Sequence, residues 1–138
     1  MNIKMRNLPR LSGKTTTLRL LALEEMHKGD YDRICIIGHS KNSEDIFLKW
    51  LMELKCQFNN IVVGMYVLGD RTKYMGKSKE NHKTLVLIDE PFIMEKSRQA
   101  QILMQLENLS VYTDIDVVGL GTLPEVQKSL EFKDYLND

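Results

Sequence analysis

Residues 7–17 read Asn7-Leu8-Pro9-Arg10-Leu11-Ser12-Gly13-Lys14-Thr15-Thr16-Thr17, between a short apolar segment and a Leu-rich run. The Gly-Lys-Thr within this stretch is typical of a loop that leads from a strand into a helix and binds phosphate. A glycine lets the backbone approach an anion closely, and the first N–H groups of the following helix point towards it. The stretch therefore predicts an α/β fold whose first units are a strand, a phosphate-binding loop and a helix.

The side chains of this loop have separate tasks in such a site. Lys14 is expected to reach the β and γ phosphates of a nucleotide, and the Thr15 hydroxyl to ligate a magnesium ion. The complete pattern has a further glycine five residues before Gly13, where this chain has Leu8. Because Gly-Lys-Thr alone also occurs in ordinary turns between a strand and a helix, the rest of the chain has to decide between the two interpretations.

A second decisive stretch is the apolar run 84–88, which is followed by Asp89 and Glu90. Such a run is typical of a strand buried in a parallel sheet, and ligands bind at the carboxyl ends of these strands. Two adjacent carboxylates at the tip of a buried strand are costly without a cation. We interpret Asp89 as the residue that holds Mg²⁺ through water, and Glu90 as the residue that orients or deprotonates an attacking water. The alternative is that the pair only begins a surface turn before Pro91.

The rest of the chain alternates apolar runs with amphipathic segments. Helices are predicted over residues 14–28, 44–55 and 96–109, strands over 3–8, 33–38, 61–67, 84–88 and 116–120, and a last helix from about Thr122 to about Phe132. Gly29 is the expected end of the first helix and Ser43 the expected N-cap of the second. This alternation predicts a mostly parallel sheet with helices on both faces, formed by residues 1–138 as a single domain.

Composition and charge limit the classes of function. Nineteen basic residues balance nineteen acidic ones, so a nucleic acid has to be bound by a local patch. Such a patch is the surplus of basic residues in the polar stretch 69–83, which are Arg71, Lys73, Lys77, Lys79 and Lys83. Contact with the phosphate backbone of DNA is one interpretation, and a solvated loop is at least as good an interpretation. The sequence has no apolar run long enough for a membrane span, no signal-peptide pattern, and two cysteines without a spacing suited to zinc or a disulfide. A cytoplasmic protein is therefore expected.

The quoted residues resemble the ATPase domain of tailed-phage terminase large subunits. Residues 7–16 are similar to the variant phosphate loop of that family, in which the first glycine is often absent and an arginine precedes the Gly-Lys-Thr as Arg10 does here. Residues 36–40 are similar to the segment that these motors share with helicases after their second strand. Residues 87–90 look like their acidic strand, and 119–122 occupy the place of their coupling motif. The resemblance covers most of the chain, from Asn7 to about Thr122.

The resemblance implies a three-layer P-loop NTPase with a mostly parallel central sheet, of the RecA-like, additional-strand and catalytic-glutamate type. The implied activity is hydrolysis of ATP with Mg²⁺, coupled to the packaging of duplex DNA into a capsid. The implied nucleotide site comprises Arg10, Leu11, Ser12, Gly13, Lys14, Thr15 and Thr16. A bacteriophage protein in the cytoplasm of its host follows from the same resemblance, as do a homo-oligomeric ring and further packaging proteins as partners.

Separate roles at the reacting phosphate are also implied. Thr15 and Asp89 are the expected metal ligands, and Lys14 and Glu90 are expected to act in catalysis. Arg10 is the expected trigger or finger at the γ phosphate. Thr122 is interpreted as the cap of the last helix, as a sensor of the γ phosphate from the tip of its strand, or as both.

Two other functions remain open from the sequence. The loop, residues 88–90 and residues 119–120 are also similar to type II thymidine kinases, in which the acid after the strand deprotonates the nucleoside hydroxyl. That family closes its substrate under a zinc-held lasso built from paired cysteines, which this sequence lacks, so the kinase is the second hypothesis. The third is a non-catalytic nucleotide-binding protein that regulates a partner, and it requires Glu90 to lie away from the phosphates.

Overall fold

The computed structural model of the chain describes residues 1–9, 13–54, 60–64 and 82–123, together with residues 132 and 135. Within these residues, strands and helices follow one another as β1 (Asn2–Asn7), α1 (Lys14–Lys28), β2 (Arg33–Ile37), α2 (Lys41–Glu53), β3 (Ile61–Val63), β4 (Lys83–Asp89), α3 (Lys96–Leu109) and β5 (Asp114–Gly121). Every strand pair in this part of the chain is parallel. The predicted α/β class with a parallel sheet is confirmed.

The strands form one five-stranded sheet in the order β1-β5-β4-β2-β3. In the register of the central pairs, Val86 lies opposite Cys35 on one side and Val117 on the other. Because all the strands run in the same direction, their carboxyl ends lie at one rim of the sheet. This rim, defined here as the carboxyl rim, brings the ends of β1, β2, β4 and β5 together with the residues that follow them.

Helices cover both faces of the sheet. Leu18 and Ala22 of α1 and Phe47 of α2 belong to the hydrophobic core on one face. The core on the other face contains Ile102 and the other buried apolar residues of α3. Alternate residues of a strand point to opposite faces, so neighbouring positions of β2 and β4 contribute to different cores. This arrangement is compatible with a three-layer α/β fold.

Burial along the strands agrees with the sequence patterns that predicted them. β2 is buried at every residue, and β4 at every residue after Lys83, as continuous apolar runs in a parallel sheet require. β1 differs, because Lys4 and Arg6 are exposed and, among the described residues, the strand pairs only with β5. Charged side chains on an edge strand disfavour its pairing with another chain.

The helix boundaries test the predicted stop and start signals. α1 and α3 have the predicted bounds, and Gly29 ends α1 in the left-handed conformation with φ 72°. The prediction that α2 begins near Glu44 with Ser43 as its N-cap was wrong. Ser40 is the N-cap, and its side chain accepts a hydrogen bond from the Ser43 N–H at 3.2 Å. Ser43 cannot serve as the cap because its own side chain is buried and points into the interior.

Side chains of α2 depart from the predicted inward face in one place. The spacing of apolar residues in this segment predicts that Ile46 lies inward, but Ile46 is 54% exposed, because α2 is turned so that Phe47 is its most deeply buried side chain. The same spacing predicts that Trp50 is a core residue, and Trp50 packs against the same core as Phe47. The Arg19 guanidinium of α1 lies 5.6 Å from the Phe47 ring centroid and 5.7 Å from that of Trp50, and thereby joins the two helices.

Several predictions fall outside the described residues. They are the loop residues Arg10, Leu11 and Ser12, the end of the third strand after residue 64, the basic residues Arg71, Lys73, Lys77 and Lys79, and most of the helix predicted to end near Phe132. In the part of the chain that is described, no helix is both long and apolar enough to cross a membrane.

Replacing Gly119 by alanine tests the close packing of β5 against β1. A Cβ at this position would collide with Met5 Sδ and would lie 3.1 Å from Pro91 Cγ. Met5 is fully buried, so its side chain has little room to move aside. We expect Gly119→Ala to lower the free energy of unfolding by about 1–3 kcal/mol, measured by urea denaturation. The double variant Gly119→Ala with Met5→Ala should lose less than the sum of the two single losses; a strictly additive loss would contradict the assigned contact.

Candidate functional site

Predicted site residues from three segments meet at the carboxyl rim. Lys14 and Thr15 begin α1, Asp89 ends β4 and Glu90 follows it directly. Thr122 follows the end of β5. The rule that ligands of parallel sheets bind at the carboxyl ends of the strands therefore applies to all three segments.

The loop end that precedes α1 has the backbone expected of a glycine. Gly13 is the N-cap of α1 with φ 73°, a left-handed conformation that a residue with a Cβ rarely adopts. The Thr17 side chain donates to the Gly13 carbonyl at 3.0 Å. Thr16 lies exposed on the first turn of α1, beside Thr15. Gly13 and Thr16 are therefore exposed at the start of α1, whereas Lys14 and Thr15 are half-buried.

Lys14 and Glu90 form an ion pair across the rim. Lys14 Nζ lies 3.2 Å from Glu90 Oε1, and the two side chains are only 10% and 17% exposed. The Lys14 ammonium also donates to the Pro9 carbonyl at 3.2 Å. The other carboxylate oxygen of Glu90 accepts a hydrogen bond from the Thr122 N–H at 3.3 Å. Glu90 therefore connects the start of α1 with the end of β5.

Thr122 makes a contact that the sequence does not reveal. Its hydroxyl donates to the Leu8 carbonyl at 2.6 Å, while the Leu8 N–H donates to Gly121 O at 2.7 Å. The next residue continues the connection, since the Leu123 N–H donates to Asn7 Oδ1 at 2.9 Å. These bonds fix the start of the predicted phosphate loop against the end of β5. The described contacts of Thr122 therefore link two strand ends.

The backbone of Glu90 is strained. Its φ is 52°, in the left-handed region that costs residues with a Cβ about 1–2 kcal/mol. The conformation is held in place because the Glu90 N–H donates to the Leu120 carbonyl at 2.9 Å, which prolongs the pairing of β4 with β5. Gly121 permits the close approach, since a Cβ there would lie 3.3 Å from Glu90 Cα and 2.9 Å from Pro91 Cδ. Strain that is held in this way is concentrated at functional sites.

Asp89 is a buried carboxylate, and each of its two oxygens faces a hydroxyl group. Asp89 is only 3% exposed. Thr15 Oγ1 lies 3.4 Å from its Oδ1, and Ser43 Oγ lies 3.2 Å from its Oδ2. His39 Nδ1 is 3.7 Å from Oδ2, which is an ion pair only if His39 is protonated. Burial raises the pKa of Asp89 above its ordinary value, the hydrogen bond from Ser43 acts in the opposite direction, and the nearby charge of Glu90 raises it further. The carboxylate thus lies where a positive charge would stabilise its ionised form.

The donor atoms around Asp89 fit a hard cation. Mg²⁺ binds oxygen ligands and commonly takes one or two from the protein, with waters and phosphate oxygens completing its shell. The predicted ligands Thr15 and Asp89 meet this requirement, because their oxygens are 3.4 Å apart at the edge of the predicted phosphate loop. Among the described residues, no group of three or more His, Cys, Asp or Glu side chains is placed to hold a metal ion. The hydroxyl of Thr15 and the carboxylate of Asp89 are oxygen ligands of the kind that Mg²⁺ prefers.

Four residues of the rim escaped the sequence analysis as functional candidates. Ser43 and His39 face Asp89, while Glu44 and Arg98 hold the backbone next to them. No periodic pattern marks these positions, because each lies in a loop or in the first turn of a helix. Two signals exist: His39 lies in the segment 36–40 that the resemblance covers, and the positive charge of Arg98 stands in the first turn of α3, where the helix dipole disfavours it.

The chain was compared with models of protein families, with curated proteins and with solved structures, and none of the three comparisons gave a match. A function therefore has to be inferred from the arrangement of side chains at the carboxyl rim. A lysine, the start of a helix and a buried carboxylate with a facing threonine can together bind a phosphorylated ligand and its cation. Glu90 adds a second carboxylate at the same rim, 3.2 Å from the Lys14 ammonium.

Replacing Asp89 by asparagine tests the cost of burying this carboxylate. Because the pKa of Asp89 is raised in the folded protein, the unfolded chain ionises first as the pH rises. The free energy of unfolding therefore falls as the pH rises from the ordinary carboxyl pKa to the raised pKa of the folded protein. Without divalent cations, we expect Asp89→Asn to be more stable than the unaltered protein at pH 7, with a difference that shrinks as the pH falls to the ordinary carboxyl pKa. Denaturation at a series of pH values measures it.

The matched control for this experiment is Asp45→Asn, which removes an exposed carboxylate from α2 and changes the net charge equally. A second expectation concerns the cation. In the presence of a nucleotide, Mg²⁺ should raise the thermal midpoint of the unaltered protein more than that of Asp89→Asn. A pH-independent difference between Asp89→Asn and the unaltered protein would contradict the raised pKa.

Paired substitutions at Glu90 test the strained backbone. Glu90→Gly and Glu90→Ala both remove the carboxylate, but only alanine keeps a Cβ in the left-handed conformation. We expect the glycine variant to be more stable by about 1 kcal/mol in urea denaturation. This order is the reverse of the one in an ordinary helix, where Ala100→Gly in α3 serves as the control and should lose stability. A more stable Glu90→Ala would disprove the assigned conformation.

Proposed function

We propose that this chain is a P-loop NTPase that hydrolyses ATP, of the kind found in the packaging motors of tailed phages. The observation that carries the proposal is the convergence of the first residues of α1 and the acidic pair on one rim. Lys14 Nζ is 3.2 Å from Glu90 Oε1, and Thr15 Oγ1 is 3.4 Å from Asp89 Oδ1. A triphosphate with its cation is a ligand for which all four side chains are suited.

The strand order supports the assignment to the RecA-like type of P-loop NTPase. β5 lies between β1, which precedes the loop, and β4, which carries the acidic pair. The two site-bearing strands are therefore separated by an additional strand, as the additional-strand class requires. The turn after β5 supplies Thr122, whose N–H holds Glu90, so this strand also contributes to the proposed catalytic carboxylate.

The proposed roles follow from charge and position. Lys14 and the first N–H groups of α1 bind the phosphates and stabilise negative charge that develops on the γ phosphoryl group. Thr15 and Asp89 would hold Mg²⁺, which supplies further charge neutralisation when bound. Glu90 orients a water molecule and accepts its proton. Arg10, which lies outside the described residues, is proposed as the arginine at the γ phosphate.

The ion pair between Lys14 and Glu90 has a consequence for binding. A phosphate has to compete with the Glu90 carboxylate for the Lys14 ammonium, since both bind the same group. When Lys14 turns to a phosphate, Glu90 keeps its hydrogen bond from the Thr122 N–H. The carboxylate is then released from its counter-charge but still oriented, as a general base requires.

DNA is the proposed partner, on the basis of the resemblance. Arg71, Lys73, Lys77 and Lys79 are the proposed contacts and lie outside the described residues. A ring of identical subunits and other packaging proteins belong to the same proposal, as does the host cytoplasm as the place of action.

Substitutions of Lys14 and Glu90 test the proposal. Glu90→Gln removes the proton acceptor and the competing charge, so we expect hydrolysis to fall by about 100-fold or more while ATP binding stays equal or becomes tighter. Lys14→Ala should lose both ATP binding and ATP hydrolysis. Binding is measured with a fluorescent ATP analogue, and turnover by phosphate release. Lys28→Ala, at the exposed end of the same helix, is the matched control and should change neither.

The same assays separate the three hypotheses. ATP hydrolysis that is stimulated by duplex DNA and lost in Glu90→Gln supports the packaging motor. Phosphorylation of thymidine without a response to DNA would favour the kinase, and tight binding without turnover would favour the regulator. A protein that binds no nucleotide and is indifferent to Lys14→Ala would refute all three.

A further inference from the structure

The first turn of α2 is held by an ion pair that none of the proposed steps uses. Glu44 turns back from the helix, and its Oε2 accepts a hydrogen bond from the Gly38 N–H at 3.2 Å. The same oxygen lies 3.1 Å from Nη2 of Arg98 in α3. Arg98 Nη2 also donates to the Gly38 carbonyl at 2.9 Å. One ion pair therefore holds both polar backbone groups of Gly38.

This pair connects helices that pack on opposite faces of the sheet. α2 contributes to one core and α3 to the other, so the contact passes over the carboxyl end of β2, where Gly38 follows Ile37. The turn is tightly closed. A Cβ at Gly38 would lie 2.8 Å from Ser43 Oγ and 2.9 Å from the Glu44 backbone nitrogen. A shift of Glu44 would therefore also displace Ser43.

Stability alone does not explain the arrangement. The Glu44 and Arg98 side chains are 13% and 21% exposed, and Arg98 Nε is buried without a hydrogen-bond partner in the described part of the chain. Removing charges from water costs free energy, so an ion pair of this kind contributes little net stability. Arg98 also lies in the first turn of α3, where its positive charge interacts unfavourably with the positive end of the helix dipole. The geometry that the pair imposes on Gly38 and α2 is the better explanation.

The geometry leads directly to Asp89. Ser43 comes immediately before Glu44, its N–H is held by Ser40 Oγ at 3.2 Å, and its hydroxyl donates to Asp89 Oδ2 at 3.2 Å. Thr15 holds the other oxygen of the same carboxylate. If Ser43 moves, the Asp89 side chain keeps only one of its two hydroxyl partners.

We propose that Arg98 and Glu44 are positioning residues for the cation site at Asp89, acting through Gly38 and Ser43. They hold the first turn of α2 so that Ser43 fixes the orientation of the Asp89 carboxylate. The inference rests on the proposed nucleotide and Mg²⁺ site. Hydrogen-bond partners that orient a metal ligand typically change metal affinity by about 10–100-fold when they are lost.

The test measures the Mg²⁺ requirement of Arg98→Ala. The thermal midpoint of unfolding is recorded against Mg²⁺ concentration with saturating ADP, so the readout needs no turnover. We expect the concentration that gives half of the Mg²⁺-dependent shift to rise about tenfold in Arg98→Ala and in Ser43→Ala. Glu44→Gln keeps an oxygen that can accept from the Gly38 N–H. It should therefore raise this Mg²⁺ concentration less than Glu44→Ala does.

A double variant tests whether Arg98 acts through Ser43. If it does, Arg98→Ala combined with Ser43→Ala should require no more Mg²⁺ than the more affected single variant. Multiplied effects would show that the two residues act independently and would overturn the proposed route.

A core substitution separates positioning from a general loss of stability. Ile102→Val removes one methyl group from the core under α3 and should lower the thermal midpoint without changing the Mg²⁺ concentration for half of the shift. If the unaltered protein responds to Mg²⁺ and ADP, an unchanged requirement in Arg98→Ala overturns the positioning role alone. If the unaltered protein shows no response to either, both this inference and the proposed function are wrong.

Discussion

The burial of the Asp89 carboxylate at the end of a central strand is the constraint on which the carboxyl rim depends. An ionised group at this depth needs hydrogen-bond donors and positive charge, because water is excluded from it. Thr15 from α1 and Ser43 from α2 supply the donors, one on each oxygen. The starts of both helices are therefore tied to a single side chain of β4. In the proposed nucleotide site, a divalent cation would supply the positive charge.

The two adjacent acids have different environments, and this difference is the basis of the separate roles proposed for them. Asp89 faces hydroxyl groups in the interior, and burial raises its pKa. Glu90 is turned away by its left-handed backbone and meets Lys14 and the Thr122 N–H instead. If both side chains followed an ordinary strand, they would point to opposite faces of the sheet. The strained residue at the end of β4 therefore brings the second carboxylate to the rim, where the proposed phosphates would lie.

Local patterns predicted the elements better than the contacts between them. Apolar runs identified β2, β4 and β5, and periodicity with a terminal Gly29 defined α1, because burial on both faces and helix stop signals are properties of short segments. The start of α2 was missed, since Ser40 and Ser43 are both acceptable caps in sequence. The choice between them depends on Asp89, which is distant in the chain. Glu44 and Arg98 were missed for the same reason, because an ion pair between two helices leaves no periodic trace.

The sequence by itself determined the α/β class, the bounds of α1 and α3, and the residues Lys14, Thr15, Asp89 and Glu90 as candidates for one site. These follow from residue types at short spacing, each of which has its own physical preference. Only the tertiary structure decided that β5 stands between β1 and β4, that Glu90 adopts a left-handed conformation, and that Arg98 reaches Gly38 across the sheet. Strand order and contacts between distant segments depend on how whole elements pack against one another, and that packing is a property of the complete chain.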